Sequence, residues 1–418
     1  MKRTLIAAVS LGLAAMLAGC SSATTTTTTN QLDAKPVADL QTAAPDAVQS
    51  QDISAFGEKL FTAVAAQGQP NPVISPLSVF YALGMAYEGA GSDTAAAFQQ
   101  VLGLTAEQAR QIAAYLLATL AAPGQGTTLN TANSVWLDDS LKTQQSWVDA
   151  VSAYYKAQVF NTDLQASDTL GAVNNWINDA TNGLIPKMLD NIDPTTVALL
   201  INALYMKAAW AQPFDTNLTH QGYFTIASGD QVQADFMTAN LDTRNYFDTP
   251  DAEGVVIPYQ DGRLAFLAAL PKSTLKLTGN TITGLLAAAK ETPNVGFAMP
   301  KFKTEFGLDL VPVLGEMGLG PACDPDTADF SALGTSTAGP LFIGMVAHKV
   351  SMAVGEKGTE AAAATVVAVL AGGAMEPQDT HWINFDHPYL YAVVDTTTGI
   401  PLFIGQMDVP SLAPPDVS

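Results

Sequence analysis

The sequence predicts an α+β fold, with large mixed or antiparallel sheets in one domain. Three observations carry this. Apolar stripes at helical spacing dominate the first part of the chain, and strand patterns dominate after Trp210. Neither an internal repeat nor a second linker divides residues 53 to 411. The third is the stretch from Gly355 to Gly373, which begins charged and then runs through small and β-branched residues. A strand places alternate residues on opposite faces, so Thr359, Ala361, Ala363, Thr365, Val367 and Val369 share one side. That side carries no charge and starts small, whereas Glu360 falls on the other. Gly358 supplies a permissive backbone just before it. The segment reads as exposed first and a strand later. The competing reading is an Ala-rich helix, against which stand the Thr and Val positions and the terminal Gly372-Gly373.

Taken in order, the chain opens with a targeting signal over residues 1–19. Lys2 and Arg3 are followed by an apolar run from Leu5 to Leu17, then Leu17-Ala18-Gly19-Cys20. This quartet resembles the bacterial lipoprotein box, which implies cleavage before Cys20 and a lipid on its sulfur. The alternative is an ordinary secretory signal beside a chance cysteine. Ser21 after the cysteine resembles outer-membrane sorting in a host with two membranes. Residues 20–52, with the run Thr24 to Thr29 and no periodicity, read as a disordered tether with a reach of about 30 Å.

From Ile53 the pattern changes. Phe56, Leu60, Phe61 and Val64 form a helical stripe ended by Pro70 and Pro72. Ser75 caps a second helix with Pro76 in its first turn. Ser92 or Asp93 caps a third, ending near Gly103. Asn133 to Leu137 reads as a strand, and Trp147, Val148, Val151, Tyr154 and Tyr155 as a helix. Val173 to Asn182 is a further helix stopped by Gly183. The apolar run Val197 to Met206 is a strand buried on both faces. Later strands are expected at Val255–Pro258, Leu264–Leu270, Val295–Met299, Leu341–Val346, Tyr389–Val394 and Leu402–Met407. Residues 412–418 form a tail.

Charge narrows the partners. Without Lys2 and Arg3, 16 basic residues face 39 acidic ones, a net of −23. Such a surface repels nucleic acid, heparin-like polyanions and anionic headgroups. Two cysteines, one of them Cys20, leave Cys323 alone and no intrachain disulfide to expect. His220, His348, His381 and His387 lack metal spacing, and neither G-x-S-x-G, H-E-x-x-H nor a phosphate loop is present. No cofactor and no catalytic residue is expected.

The ordered set Asn71-Pro-Val-Ile-Ser-Pro-Leu-Ser-Val79, Asn174-Asn-Trp-Ile177, Thr181-Asn-Gly-Leu-Ile185, Ile201-Asn-Ala-Leu-Tyr-Met-Lys207 with Trp210 and Pro213-Phe214, Pro300-Lys-Phe302, His348-Lys349, Gly355-Glu-Lys-Gly-Thr-Glu-Ala361 and Phe385-Asp-His-Pro-Tyr389 resembles the serpins. The resemblance spans about residues 53–410. It implies a serpin fold of about nine helices around three sheets, with an exposed reactive loop at about 355–384. It also implies suicide-substrate inhibition. A serine protease attacks the loop, forms an acyl-enzyme, and is trapped as the cut loop enters the main sheet. The hinge is then Glu356, Gly358, Thr359, Glu360, Ala361, Ala362, Ala363 and Ala364. Ser75, Ser78, Asn202 and His348 correspond to a polar cluster where strands part, and Trp210, Lys301 and Glu356 to the top of the opening sheet. Counting forward from Glu356 puts the cut bond at Gly372-Gly373, within Ala371, Ala374 and Met375; counting back from Phe385 lands near Pro377. The window lacks Arg and Lys, so elastase-like or subtilisin-like proteases are the expected targets, with papain-like cysteine proteases behind them. A monomer, exported and lipid-anchored at the envelope or outer surface, is expected. The reading from a different class is a non-inhibitory binding or storage lipoprotein on the same scaffold.

Overall fold

In a computed structural model, residues 29–121, 124–273, 275–359 and 379–410 are described. The seven-stranded main sheet runs β1 (Asn30–Gln31), β5 (Gln158–Thr162), β3 (Thr127–Asp138), β6 (Ala198–Ala209), β15 (Gly358–Thr359), β14 (Ala347–Gly355) and β12 (Phe302–Asp309). The nine-stranded sheet runs β16 (His381–Asn384), β11 (Lys290–Pro300), β8 (Gln231–Asp248), β9 (Ala252–Pro258), β10 (Leu264–Pro271), β17 (Tyr389–Asp395), β18 (Pro401–Met407) and β2 (Val73–Ile74), with β7 (His220–Thr225) added on β8. Strands β13 (Gly334–Ser336) and β4 (Leu141–Thr143) make a third, two-stranded sheet. Most pairings are antiparallel; β3–β5 and β11–β16 are parallel. This is the mixed α+β architecture that the sequence predicts.

The helices are α1 (Ala47–Ala65), α2 (Pro76–Tyr87), α3 (Ser92–Leu102), α4 (Ala106–Leu120), α5 (Gln145–Tyr155), α6 (Thr169–Ala180) and α7 (Thr281–Ala288), with single turns at Val311–Leu314 and Gly320–Cys323. Ser75 caps α2 by accepting from Ser78 N, and Pro76 occupies the first turn. Val173 and Ile177 of α6 pack with Trp136, Leu199 and Ile201 of the main sheet in a core of their own. The turn after α6 hangs on two side chains. Asn174 Oδ1 accepts from Met188 N and Leu189 N, and Thr181 Oγ1 accepts from Ile185 N.

Several expectations are corrected. The tether of residues 20–52 does not hold for its second part. Asn30 and Gln31 pair with β5, Leu32 N donates to Val159 O (2.7 Å), and Lys35 N donates to Asp149 Oδ1 (2.7 Å). The disorder argument rested on missing side-chain periodicity, but an open sheet edge needs only backbone groups from its partner. Helix α1 also begins at Ala47 rather than Ile53. Asp46 and Gln49 form a reciprocal capping box. Leu341–Val346 is no strand. It follows Pro340 as a loop, with Val346 N tied to Asp309 Oδ1, and its apolar residues pack as loop side chains on the core. The strand starts at Ala347. Gly91, not Ser92 or Asp93, is the cap position of α3, and no side chain caps this helix; the Ser92 hydroxyl donates to Asp329 Oδ2 instead.

Candidate functional site

Strand β15 is two residues long and lies between two strands many times its reach. Thr359 faces Ala208 of β6 on one side and Val354 of β14 on the other; Gly358 faces Ala209 and Gly355. Among the described residues β6 and β14 are joined in the sheet only through β15. Beyond Thr359, no described strand lies between the facing edges of β6 and β14, and that interval of the sheet is called the slot.

The top of the slot is tightly held. Trp210 Nε1 donates to Gly355 O (2.9 Å), Trp210 N to Lys357 O (3.0 Å) and Phe214 N to Glu356 O (2.8 Å). Lys301 Nζ lies 3.1 Å from Glu356 Oε2, with both side chains largely buried at 18% and 13% exposure. Thr219 Oγ1 donates to the other Glu356 oxygen (2.9 Å). The three residues predicted for the top of the opening sheet thus meet at one place, joined by Thr219, which no local motif marks.

Glycine is required at 358. Its φ is +151°, and a Cβ there would stand 2.0 Å from Ala208 O and 2.8 Å from Ala209 Cα, both backbone atoms that cannot swing away. Thr359 is 2% exposed, and its hydroxyl shares a hydrogen bond of 2.6 Å with the buried hydroxyl of Tyr259. The sequence reading has Thr359 exposed until the loop inserts. In the structure it is already seated, because the slot offers it two strand edges and a buried hydroxyl partner. Tyr259 itself stacks flat on Trp210, with centroids 4.6 Å apart and 11° between planes.

Beneath the sheet, Ser75, Ser78 and His348 come together. Ser75 N donates to His348 Nε2 (3.1 Å), and Ser75 Oγ accepts from Ser78 N (3.2 Å). His348 is 7% exposed, and burial pushes its pKa down to about 4. With Nε2 accepting a backbone proton, the ring is neutral and carries its hydrogen on Nδ1. Asn202 joins a different neighbour: its Nδ2 donates to Asn133 Oδ1 (2.7 Å), and Asn133 Nδ2 donates to Tyr155 O (2.6 Å). Sequence reasoning missed Asn133, although it lies inside the strand it identified.

Glu360, Ala361, Ala362, Ala363 and Ala364 of the hinge, Gly372 and Gly373 with Ala371, Ala374 and Met375 of the cut bond, and Cys20 all lie outside the described residues. Among the described residues no His, Cys, Asp and Glu cluster could hold a metal ion. No described helix is long and apolar enough to cross a membrane. Burial pushes the Cys323 thiol up to about 11, so it is protonated and a poor nucleophile at neutral pH.

Two residues, Gly358 and Thr359, lie as a strand between β6 and β14 in the middle of a seven-stranded sheet, and this α+β arrangement of three sheets defines the class of protein. The family described as serpin (serine protease inhibitor) matches residues 51–410. This chain belongs to the serpin family, whose members in general inhibit proteases rather than act as enzymes. An uncharacterized serpin-like protein of Thermococcus kodakarensis is 31% identical over 85% of this chain and 84% of its own. The thermophilic serpin tengpin in its native state superposes with a TM-score of 0.82 at 31% identity, covering 90% of this chain and 97% of that one. Its latent state gives 0.77 at 29% identity, over 89% and 100%. Human thyroxine-binding globulin reaches 0.77 at 23% identity over 87% and 99%, a likeness of fold alone.

Proposed function

We propose that this chain is an irreversible suicide-substrate inhibitor of extracellular serine proteases. On this reading it presents residues 360–378 as bait and traps the acyl-enzyme by drawing the cut segment into the slot between β6 and β14. The observation that carries the reading is the seated β15. If the strand continues at the register of Thr359 opposite Ala208, residue 369 comes to face Ala198, the first residue of β6. The slot accommodates residues 359–369, so a cut that frees a full strand lies beyond 369. The forward count to Gly372-Gly373 meets this with the fewest residues left over, and the count that ends near Pro377 meets it as well. About ten new backbone hydrogen bonds at ~1 kcal/mol each yield on the order of 10 kcal/mol. Burial of Val367 and Val369 adds ~1.5–3 kcal/mol apiece at full burial. That total is of the size needed to distort a bound protease. Small inward residues let entry outrun hydrolysis of the acyl bond.

Without Arg or Lys in the window, elastase-like or subtilisin-like proteases fit best, and papain-like cysteine proteases come next. Incubation with a protease panel tests this. An adduct stable in SDS, with a released peptide starting near residue 373, is the expected result. A peptide starting after Lys357, or inhibition of trypsin alone, overturns it. On the same reading the protein is exported and held on the envelope by a lipid on Cys20. Cys20→Ser should abolish lipid labelling and release the protein while leaving inhibition intact; continued membrane association argues against the anchor.

The second reading, a non-inhibitory carrier, is favoured by one observation: thyroxine-binding globulin, named for a ligand, shares the fold. Cleavage without any adduct across the panel would support it.

A further inference from the structure

The hydroxyl of Tyr259 is buried where water does not reach, and burial pushes its pKa well up. A phenol in such a place needs a partner. Among the described residues its partner is Thr359 Oγ1, a hundred positions away and on the segment meant to move. The ring has no freedom to look elsewhere. It is stacked on Trp210, whose own indole N–H is spent on Gly355 O, and Gln260 N and Ala211 N bond across to Ala209 O and Pro258 O. Tyr259 is thus a fixed post at the mouth of the slot, and Gly358 removes any side chain that could keep the segment from reaching it.

We propose that Tyr259 is a positioning residue for strand entry. Its hydroxyl captures that of Thr359 and holds the first residue of the segment between β6 and β14 before any protease arrives. Strand entry then begins from a seated residue, without first having to find register. A one-residue slip would turn Glu360 inward, and the Tyr259–Thr359 bond selects against that. The kinetic part of this inference rests on the inhibitory reading above; the seating itself does not.

Amide hydrogen exchange on the full chain, with no protease present, reads the seating directly. Tyr259→Phe leaves the Thr359 hydroxyl buried alone, and Thr359→Val does the same to Tyr259. In each, exchange at Gly358 and Thr359 should quicken about tenfold, the scale of a buried hydrogen bond replaced by an unpartnered group. Exchange in β17 and β18 should not change. Thr359→Ser should restore protection, and the double variant Tyr259→Phe/Thr359→Val should exchange more slowly than the product of the singles predicts. Unchanged exchange at Gly358 and Thr359 in Thr359→Val, or strictly multiplicative effects, overturns the assignment. If Tyr259→Phe alone loosens the whole chain, the Thr359 pair decides. In a second arm with an elastase-like protease, each single variant should need severalfold more inhibitor per enzyme trapped. If the unaltered protein traps no protease, the inhibitory reading fails while the exchange result still decides the role of Tyr259.

Discussion

Two strands of two residues each are added to the same sheet, and they differ in almost every other respect. β1 lies on the outer edge against β5 with both residues exposed; β15 lies in the middle, against β6 and β14, with both buried. At the edge, one face of backbone groups is met and the side chains are free, so the sequence there is barely constrained. In the slot, both backbone faces are met and the side chains are enclosed. There the chain needs glycine at 358 and a small hydroxyl at 359. The same hydrogen-bonding chemistry is therefore permissive at an edge and selective in an interior.

Substitutions in the slot should break this contrast most strongly. Thr359→Arg forces an unpaired charge into the sheet, at a cost of several kcal/mol. Entry should slow, hydrolysis should win, and the variant should be cleaved as a plain substrate; SDS-stable adducts at wild-type stoichiometry would refute the hinge assignment. Gly358→Ala places a methyl group on Ala208 O and should expel β15. Because the segment can simply leave the slot, the melting temperature should move little while hinge protection against exchange is lost.

Next in size is a pair of buried ionisable groups with opposite signs. His348, held down to about 4 by burial, stabilises the fold fully above pH 6.5 and loses that contribution as pH falls through 4. Glu88, pushed up to about 7 first by burial, stabilises below pH 4.5 and loses it as pH rises through 7. The Glu88 side chain is 5% exposed and sits 3.3 Å from Arg110, whose charge pulls the other way, as does the Tyr155 hydroxyl. Each shift corresponds to ~3 kcal/mol. Between pH 4.5 and 6.5 the two slopes oppose, so the intact chain should show a flat stability profile. Glu88→Gln should unmask a fall on acidification of about 3 kcal/mol, measured by urea unfolding across that range. A variant profile as flat as the parent's would refute it.

The smallest effect belongs to the edge. Leu32→Pro deletes the N–H that donates to Val159 O and should cost ~1 kcal/mol. Inhibition should be unaltered. A loss as large as that of Thr359→Arg would mean that edge and slot are not energetically distinct.

What the sequence revealed follows the same division. Strands buried on both faces, such as Ala198–Ala209 and Leu264–Pro271, announce themselves by unbroken apolar runs. Gln231–Asp248 went unread because one face is polar and exposed, with Asp and Asn scattered through it. Leu341–Val346 misled for the converse reason: a loop packed on a core is apolar too. The capping pairs Asp46/Gln49 and Thr105/Gln108 were legible and overlooked. In the site, Trp210, Lys301, Glu356 and His348 were found through an ordered family pattern. Tyr259 and Asn133 were not, since each ends or interrupts an ordinary strand run. Their significance lies in contacts 100 and 69 residues away, which no local spacing encodes.

The flat stack of Trp210 on Tyr259 has an optical consequence. Of five tryptophans, this one is buried against the residue that grips the hinge, and its indole N–H is committed to Gly355, next to Glu356. Indole emission responds to the loss of such a hydrogen bond and of a neighbouring phenol. The chain therefore carries an intrinsic fluorophore at the mouth of the slot. Replacing the other four tryptophans with phenylalanine would leave a single emitter whose colour and intensity follow the departure or advance of the segment in real time, without any attached dye.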